Sequence, residues 1–89
     1  MIWKIKYTSL ADKNLEKLNP QFRRIIKDYL DNNVLNLENP KQLGKALKGK
    51  KKGLWRYRVE KFRIICKLEE NELIILVVKV AKRDVVYDD

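Results

Sequence analysis

Arginine at alternate positions is what this sequence offers for chemistry. Arg56 and Arg58 flank Tyr57, Arg63 stands between Phe62 and Ile64, and Arg83 follows the apolar run that ends at Ala81. A guanidinium is planar, keeps its proton at neutral pH and grips two oxygens of one phosphate at once, which a lysine cannot do. Several aimed at one point stabilise negative charge as it builds on a reacting phosphate. The charge around them is one-sided. Residues 41–67 hold eleven Lys and Arg against one acid, Glu60, in a chain of 89 residues with a net charge of +9. A plain solvated surface mixes signs, as the first forty residues do, so this run points to a polyanionic partner, nucleic acid above all. Lys45, Lys48, Lys50, Lys51 and Lys52 read as contacts to a nucleic-acid backbone, of the kind that weakens steeply with salt.

What the chain lacks removes other mechanisms. With no histidine, Ser-His and Cys-His nucleophile pairs, His-ligated metal and a two-histidine ribonuclease mechanism are all impossible. The single Cys66 cannot close an internal disulfide or build a cysteine-rich zinc site, and its apolar strand context marks it as a core thiol. No cofactor and no metal are expected. The longest apolar run, residues 73–78, is far short of the ~20 residues that span a bilayer. Residues 1–6 alternate apolar with charged and cannot form the apolar core of a secretory signal. No membrane association and a cytoplasmic location are expected, in one domain covering residues 1–89.

The elements that must position the arginines follow from periodicity. Residues 2–7 alternate, with Trp3, Ile5 and Tyr7 on one side, as a half-buried strand does. Thr8 or Ser9 then offers a helix cap, and Leu10, Ala11, Leu15 and Leu18 make one stripe. Asn19 and Pro20 close that helix and open the next, whose apolar face is Phe22, Ile25, Ile26, Tyr29 and Leu30 and which frays around Asn32 and Asn33. Residues 36–53 read as a lysine-rich connection with a turn of helix around residues 43–47. Trp55, Tyr57 and Val59 alternate with Arg56 and Arg58, and a tight turn at Glu60-Lys61 leads into a second alternating strand over residues 62–68. A further turn at residues 69–71 precedes residues 73–81, apolar on both faces like a central strand covered on both sides. Residues 82–89 form a polar tail.

The predicted fold is therefore α+β, an N-terminal strand and a two-helix hairpin followed by three antiparallel strands, with the helices on one face of a mostly antiparallel sheet. If Trp55, Tyr57 and Val59 face the helices, Arg56 and Arg58 project from the other face. Arg63 shares that face if Ile64 and Cys66 are core, and Lys79, Ala81 and Arg83 keep the same parity. Four arginines then converge on one open surface. Trp3 and Trp55 read as core.

The stretch Leu47-Lys48-Gly49, then Gly53-Leu54-Trp55-Arg56-Tyr57-Arg58-Val59, Phe62-Arg63-Ile64-Ile65, and Val80-Ala81-Lys82-Arg83 with Tyr87 resembles the RelE branch of bacterial and archaeal toxin-antitoxin pairs over nearly the whole chain. The resemblance implies a toxin that is a metal-independent endoribonuclease, cutting messenger RNA in the decoding site of the ribosome and held in check by a cognate antitoxin whose acidic or amphipathic segment covers the basic face. It also implies site roles. Arg63 and Arg83 would bind the scissile phosphate, and Tyr87 would stack on a base or hold the 2′-hydroxyl in line. Arg56 and Arg58 stand where some members carry lysines proposed as base and charge stabiliser. An arginine is a poor general base at neutral pH, so positioning and charge come first, with Glu60 or a lysine of the 48–52 cluster as candidate bases. The sister ParE branch, which shares the fold and acts on DNA gyrase, is the main rival. A non-catalytic basic protein that binds RNA or the ribosome is the second.

Overall fold

A computed structural model describes residues 3–49 and 53–82. Five strands form one sheet: β1 (Lys4–Tyr7), β2 (Lys45–Ala46), β3 (Trp55–Val59), β4 (Phe62–Glu69) and β5 (Ile74–Lys82). Their spatial order is β1-β5-β4-β3-β2, with β1 parallel to β5 and every other neighbour antiparallel. Helices α1 (Ser9–Glu16) and α2 (Pro20–Asp28) cover one face. The expected class and the mostly antiparallel sheet are observed.

Local chemistry starts each helix where expected. Thr8 Oγ1 accepts from Ala11 N at 3.1 Å and donates to Val78 O at 2.8 Å, so one hydroxyl caps α1 and ties it to β5. Asn19 Oδ1 accepts from Gln21 N, and Pro20 occupies the first turn of α2, where a missing N–H costs nothing. Ala11 and Leu15 are buried, but Leu10 is 49% exposed, because the buried stripe of so short a helix is narrower than the sequence suggests. Nor does the second helix fray at Asn32 and Asn33. It continues as a π-helical turn, Tyr29–Val34, in which Leu35 N donates to Leu30 O at 3.0 Å, and the wider turn leaves both Leu30 and Val34 fully buried.

The connection to β3 is also different from its expectation. A 3₁₀ turn, Pro40–Gln42, precedes the short strand β2 where a turn of helix was expected over residues 43–47. Tertiary bonds decide this. Tyr57 Oη donates to Pro40 O at 2.6 Å and Trp55 Nε1 donates to Leu43 O at 2.7 Å, so the loop is held extended beside β3. Gly44 makes the approach possible, since a Cβ at its φ of +79° would clash with the Arg56 carbonyl and Trp55 Nε1.

The β3–β4 hairpin turns at Glu60 and Lys61, with Glu60 in the left-handed region at φ 54°. Phe22 meets Phe62 edge-on at 5.3 Å and Tyr29 meets Tyr57 at 6.3 Å, locking α2 and its π turn onto the hairpin. In β5 the pairing shifts, Ile65 opposing Lys79 and Cys66 opposing Val77, so Val78 is an extra residue, a bulge. The bulge explains the apolar run. Ile75, Val77 and Val80 are buried towards the helices, whereas Ile74 and Leu76 lie half-exposed on the other face. The helices thus cover one face of the sheet, as expected, and β5 is not covered on both sides as its apolar run suggested.

Candidate functional site

Four rows of side chains cross the face that the helices leave open. Pairing puts Ala81, Arg63 and Arg58 in the first row, and Lys79, Ile65, Arg56 and Lys45 in the second. Lys6, Leu76 and Lys67 form the third, Lys4, Ile74 and Glu69 the fourth. Rows within a strand segment repeat every two residues, ~7 Å apart. The alternation that buries Tyr57, Ile64 and Cys66 is what sends these residues the other way. Eight of them are cations and one, Glu69, is an acid.

Arg58 and Arg63 oppose each other directly. Like charges in such a pair destabilise a sheet, so folding alone does not account for it. Arg63 is half-buried beside the small Ala81, and its Nε is buried with no hydrogen-bond partner among the described residues. A buried donor without an acceptor carries a desolvation cost that an incoming anion would relieve. Between Arg56 and Lys79 lies Ile65, only 5% exposed, an apolar floor that lowers the local dielectric and strengthens the pull of the cations around it.

At the β3 side the face runs into a cleft. Tyr29, Gly44, Lys45, Arg56 and Arg58 line a space of about 220 Å³. A second space, of about 450 Å³, shares Tyr29 and Arg58 and adds Asp28, Asn32 and Glu60. Burial raises the Tyr29 pKa above its ordinary 10.0, and a phenol, protonated at neutral pH in any case, can donate. Glu60, the acid that the sequence offers as a base, is therefore close to Arg58 and Tyr29.

Among the residues singled out from sequence, Arg56, Arg58 and Arg63 share the open face with Lys45, which reaches it through β2 opposite Arg56. Lys48 lies exposed beyond β2 and outside the four rows. Lys50, Lys51, Lys52, Arg83 and Tyr87 lie outside the described residues. Trp3 is buried as expected, while Trp55 is only half-buried, with Lys41 Nζ 5.8 Å from its ring centroid. Cys66 is fully buried, and burial pushes its thiol up from 9.0 to about 12. Sequence reasoning missed three residues. Tyr29 falls on the same helical stripe as core residues, and nothing in that spacing reveals a cleft. Lys4 and Lys6 gain their place only through the parallel pairing of β1 with β5.

The chain matches the model of a family described as the ParE toxin of the type II toxin-antitoxin system, parDE, over residues 5–87. No curated protein matches its sequence at a significant level. Solved structures are similar in fold. A chain of the RelBE2 toxin-antitoxin complex from Mycobacterium tuberculosis superposes with a TM-score of 0.84 at 18% identity, covering 93% of this chain and 100% of that one. The intact Escherichia coli RelBE complex gives 0.73 at 18% identity, with 96% and 100% covered. The archaeal RelE-RelB complex from Pyrococcus horikoshii gives 0.68 at 22% identity, with 97% and 100% covered.

Proposed function

The chain belongs to the ParE toxin family of type II toxin-antitoxin systems, within the RelE/ParE superfamily, and from that premise we propose that it is a ribosome-dependent endoribonuclease. It cuts messenger RNA in the decoding site and so stops translation. The observation that carries this reading is the Arg58–Arg63 pair, with a buried, unsatisfied Arg63 Nε on an open cationic face.

The chemistry needs no histidine. A ribose 2′-hydroxyl attacks the adjacent phosphorus and gives up its proton, charge builds on the equatorial oxygens of a phosphorane, and the 5′-oxygen leaves and takes up a proton, giving a 2′,3′-cyclic phosphate and a 5′-hydroxyl. Arg63 grips the phosphate oxygens as charge develops, and Arg83 is assigned the same role. Arg58 and Arg56 hold the sugar-phosphate on either side, and Tyr87 stacks on a base or aligns the nucleophile. Lys45, Lys48, Lys50, Lys51 and Lys52 hold the surrounding RNA backbone.

The proposed partners are the ribosome with its messenger, and a cognate antitoxin. An acidic or amphipathic antitoxin segment that orders on binding neutralises the arginine face and blocks RNA entry. The site of action is the cytoplasm. A second reading, a toxin directed at DNA gyrase, is favoured by the family model that matches, which is that of ParE toxins. The two separate in a cell-free translation system with messenger 5′ ends mapped by primer extension. New ends inside translated codons are the expected result. Intact messenger together with lost gyrase supercoiling overturns the ribonuclease reading in favour of the second. Intact messenger with supercoiling untouched leaves a non-catalytic basic protein.

A further inference from the structure

The open face does not end at the arginines. Its third and fourth rows carry Lys6 and Lys4 on β1 and Lys67 on β4, and the half-exposed Leu76 and Ile74 lie between the strands that hold them. From Arg63 to Lys6 the path runs two strands across, ~10 Å, and four residues along, ~13 Å, a diagonal of ~16 Å. Lysine on an edge strand such as β1 also deters strand addition. That role does not reach Lys67 and Lys79, which occupy the same face on the interior strands β4 and β5. One acid, Glu69, interrupts the surface, and its carboxylate lies 3.4 Å from Lys67 Nζ.

The geometry points to a second phosphate-binding site at the β1 end of the sheet, in which Lys4 and Lys6 hold the backbone of the single-stranded RNA whose scissile phosphate lies at Arg58 and Arg63. The inference rests on the RNA-directed reading and extends it. The chain holds its substrate over several nucleotides on one side of the cut, and the apolar Leu76 between Lys6 and Lys67 gives a base something to lie on while the lysines take the phosphates. Both lysines are exposed, so exchanging them leaves the core untouched.

The test is the salt dependence of RNA binding by the whole chain, read by anisotropy of labelled single-stranded RNA of about three and about twelve nucleotides. Each phosphate contact contributes ~0.7 to the slope of log K against log salt for a single strand. The double variant Lys4→Gln, Lys6→Gln should flatten the slope by ~1.4 with the long RNA and leave the short RNA unaffected. The variant Lys13→Gln, Lys17→Gln removes the same charge from exposed positions on and just after α1 and should change neither. Equal slope losses in the two variants, or an equal loss on the short RNA, overturn the site, because net charge rather than position would then govern binding. A wild-type chain that binds the long RNA with the position-dependent slope yet cuts no messenger supports the site and brings down the cleavage reading alone. A wild-type chain with no salt-dependent RNA binding overturns the site, and messenger cleavage in cell-free translation decides the cleavage reading separately.

Discussion

The two faces of the sheet come from the same strands and differ by one residue of register. On the helix side Tyr57, Phe62, Ile64, Cys66, Ile75 and Val77 are all but fully buried, and no charged or polar side chain is buried among the described residues. On the other side stand eight cations, Arg58 directly against Arg63. One face lowers the free energy of the fold. The other raises it through like-charge repulsion and an unsatisfied guanidinium nitrogen. Stability does not account for the second pattern; anion binding, as in the proposed function, would.

That division can be broken or sharpened by substitution, taken from the largest effect down. Phe62→Ala removes a ring packed on Phe22 and leaves a core cavity, and should cost ~3–5 kcal/mol in urea unfolding. A loss under 1 kcal/mol would mean that the helix-side face is not where stability resides. Asn14→Ala is subtler. Asn14 Oδ1 accepts from Val80 N at 3.0 Å, just past the bulge, and losing it leaves that part-buried donor unpaired at ~1–3 kcal/mol. Because Val80 precedes Ala81 and the end of β5, this variant should also lower any activity of the open face beyond what its stability explains. Thr8→Ala loses the α1 cap and should cost ~1 kcal/mol, visible as a lower unfolding temperature with activity unchanged below it.

A further effect is confined to alkali. Burial lifts Cys66 from 9.0 to about 12 and, as the largest of several causes, Tyr7 from 10.0 to about 12. Burial likewise raises Tyr57. The folded state holds these protons more tightly than the unfolded chain. Their contribution to stability is therefore complete below pH 9 and is lost as pH rises towards 12. Unfolding midpoints should fall as pH rises above 9, and Cys66→Ala should delay the onset of the fall. An onset that Cys66→Ala leaves unmoved would show that the thiol titrates as freely in the folded chain as in the unfolded one.

Much of this was legible in the sequence because it depends on local rules. Alternation around Tyr57 and Ile64 fixes the hairpin and the parity of Arg56, Arg58 and Arg63, and Thr8, Asn19 and Pro20 mark the helix starts. What was not legible depends on tertiary partners. Strand β2 has two residues and no pattern, and exists because Gly44 lets its loop lie against Trp55 and Tyr57. A π turn replaces a frayed end because Leu30 and Val34 both find the core. The bulge at Val78 cannot be read from a run apolar at every position, and Lys4 and Lys6 join the cationic face only once β1 is known to lie beside β5. Tyr29 reaches the cleft beside Arg58 for a similar reason, through packing on Tyr57.

The most direct measurement pairs cleavage with stability in Arg63→Ala. Its messenger-cleavage rate in cell-free translation should fall by ~10²-fold or more, the scale for losing one transition-state donor, while its unfolding temperature stays level or rises as the repulsion with Arg58 is relieved. Unchanged cleavage, or cleavage lost only in step with unfolding, would contradict the assignment of chemistry to the open face.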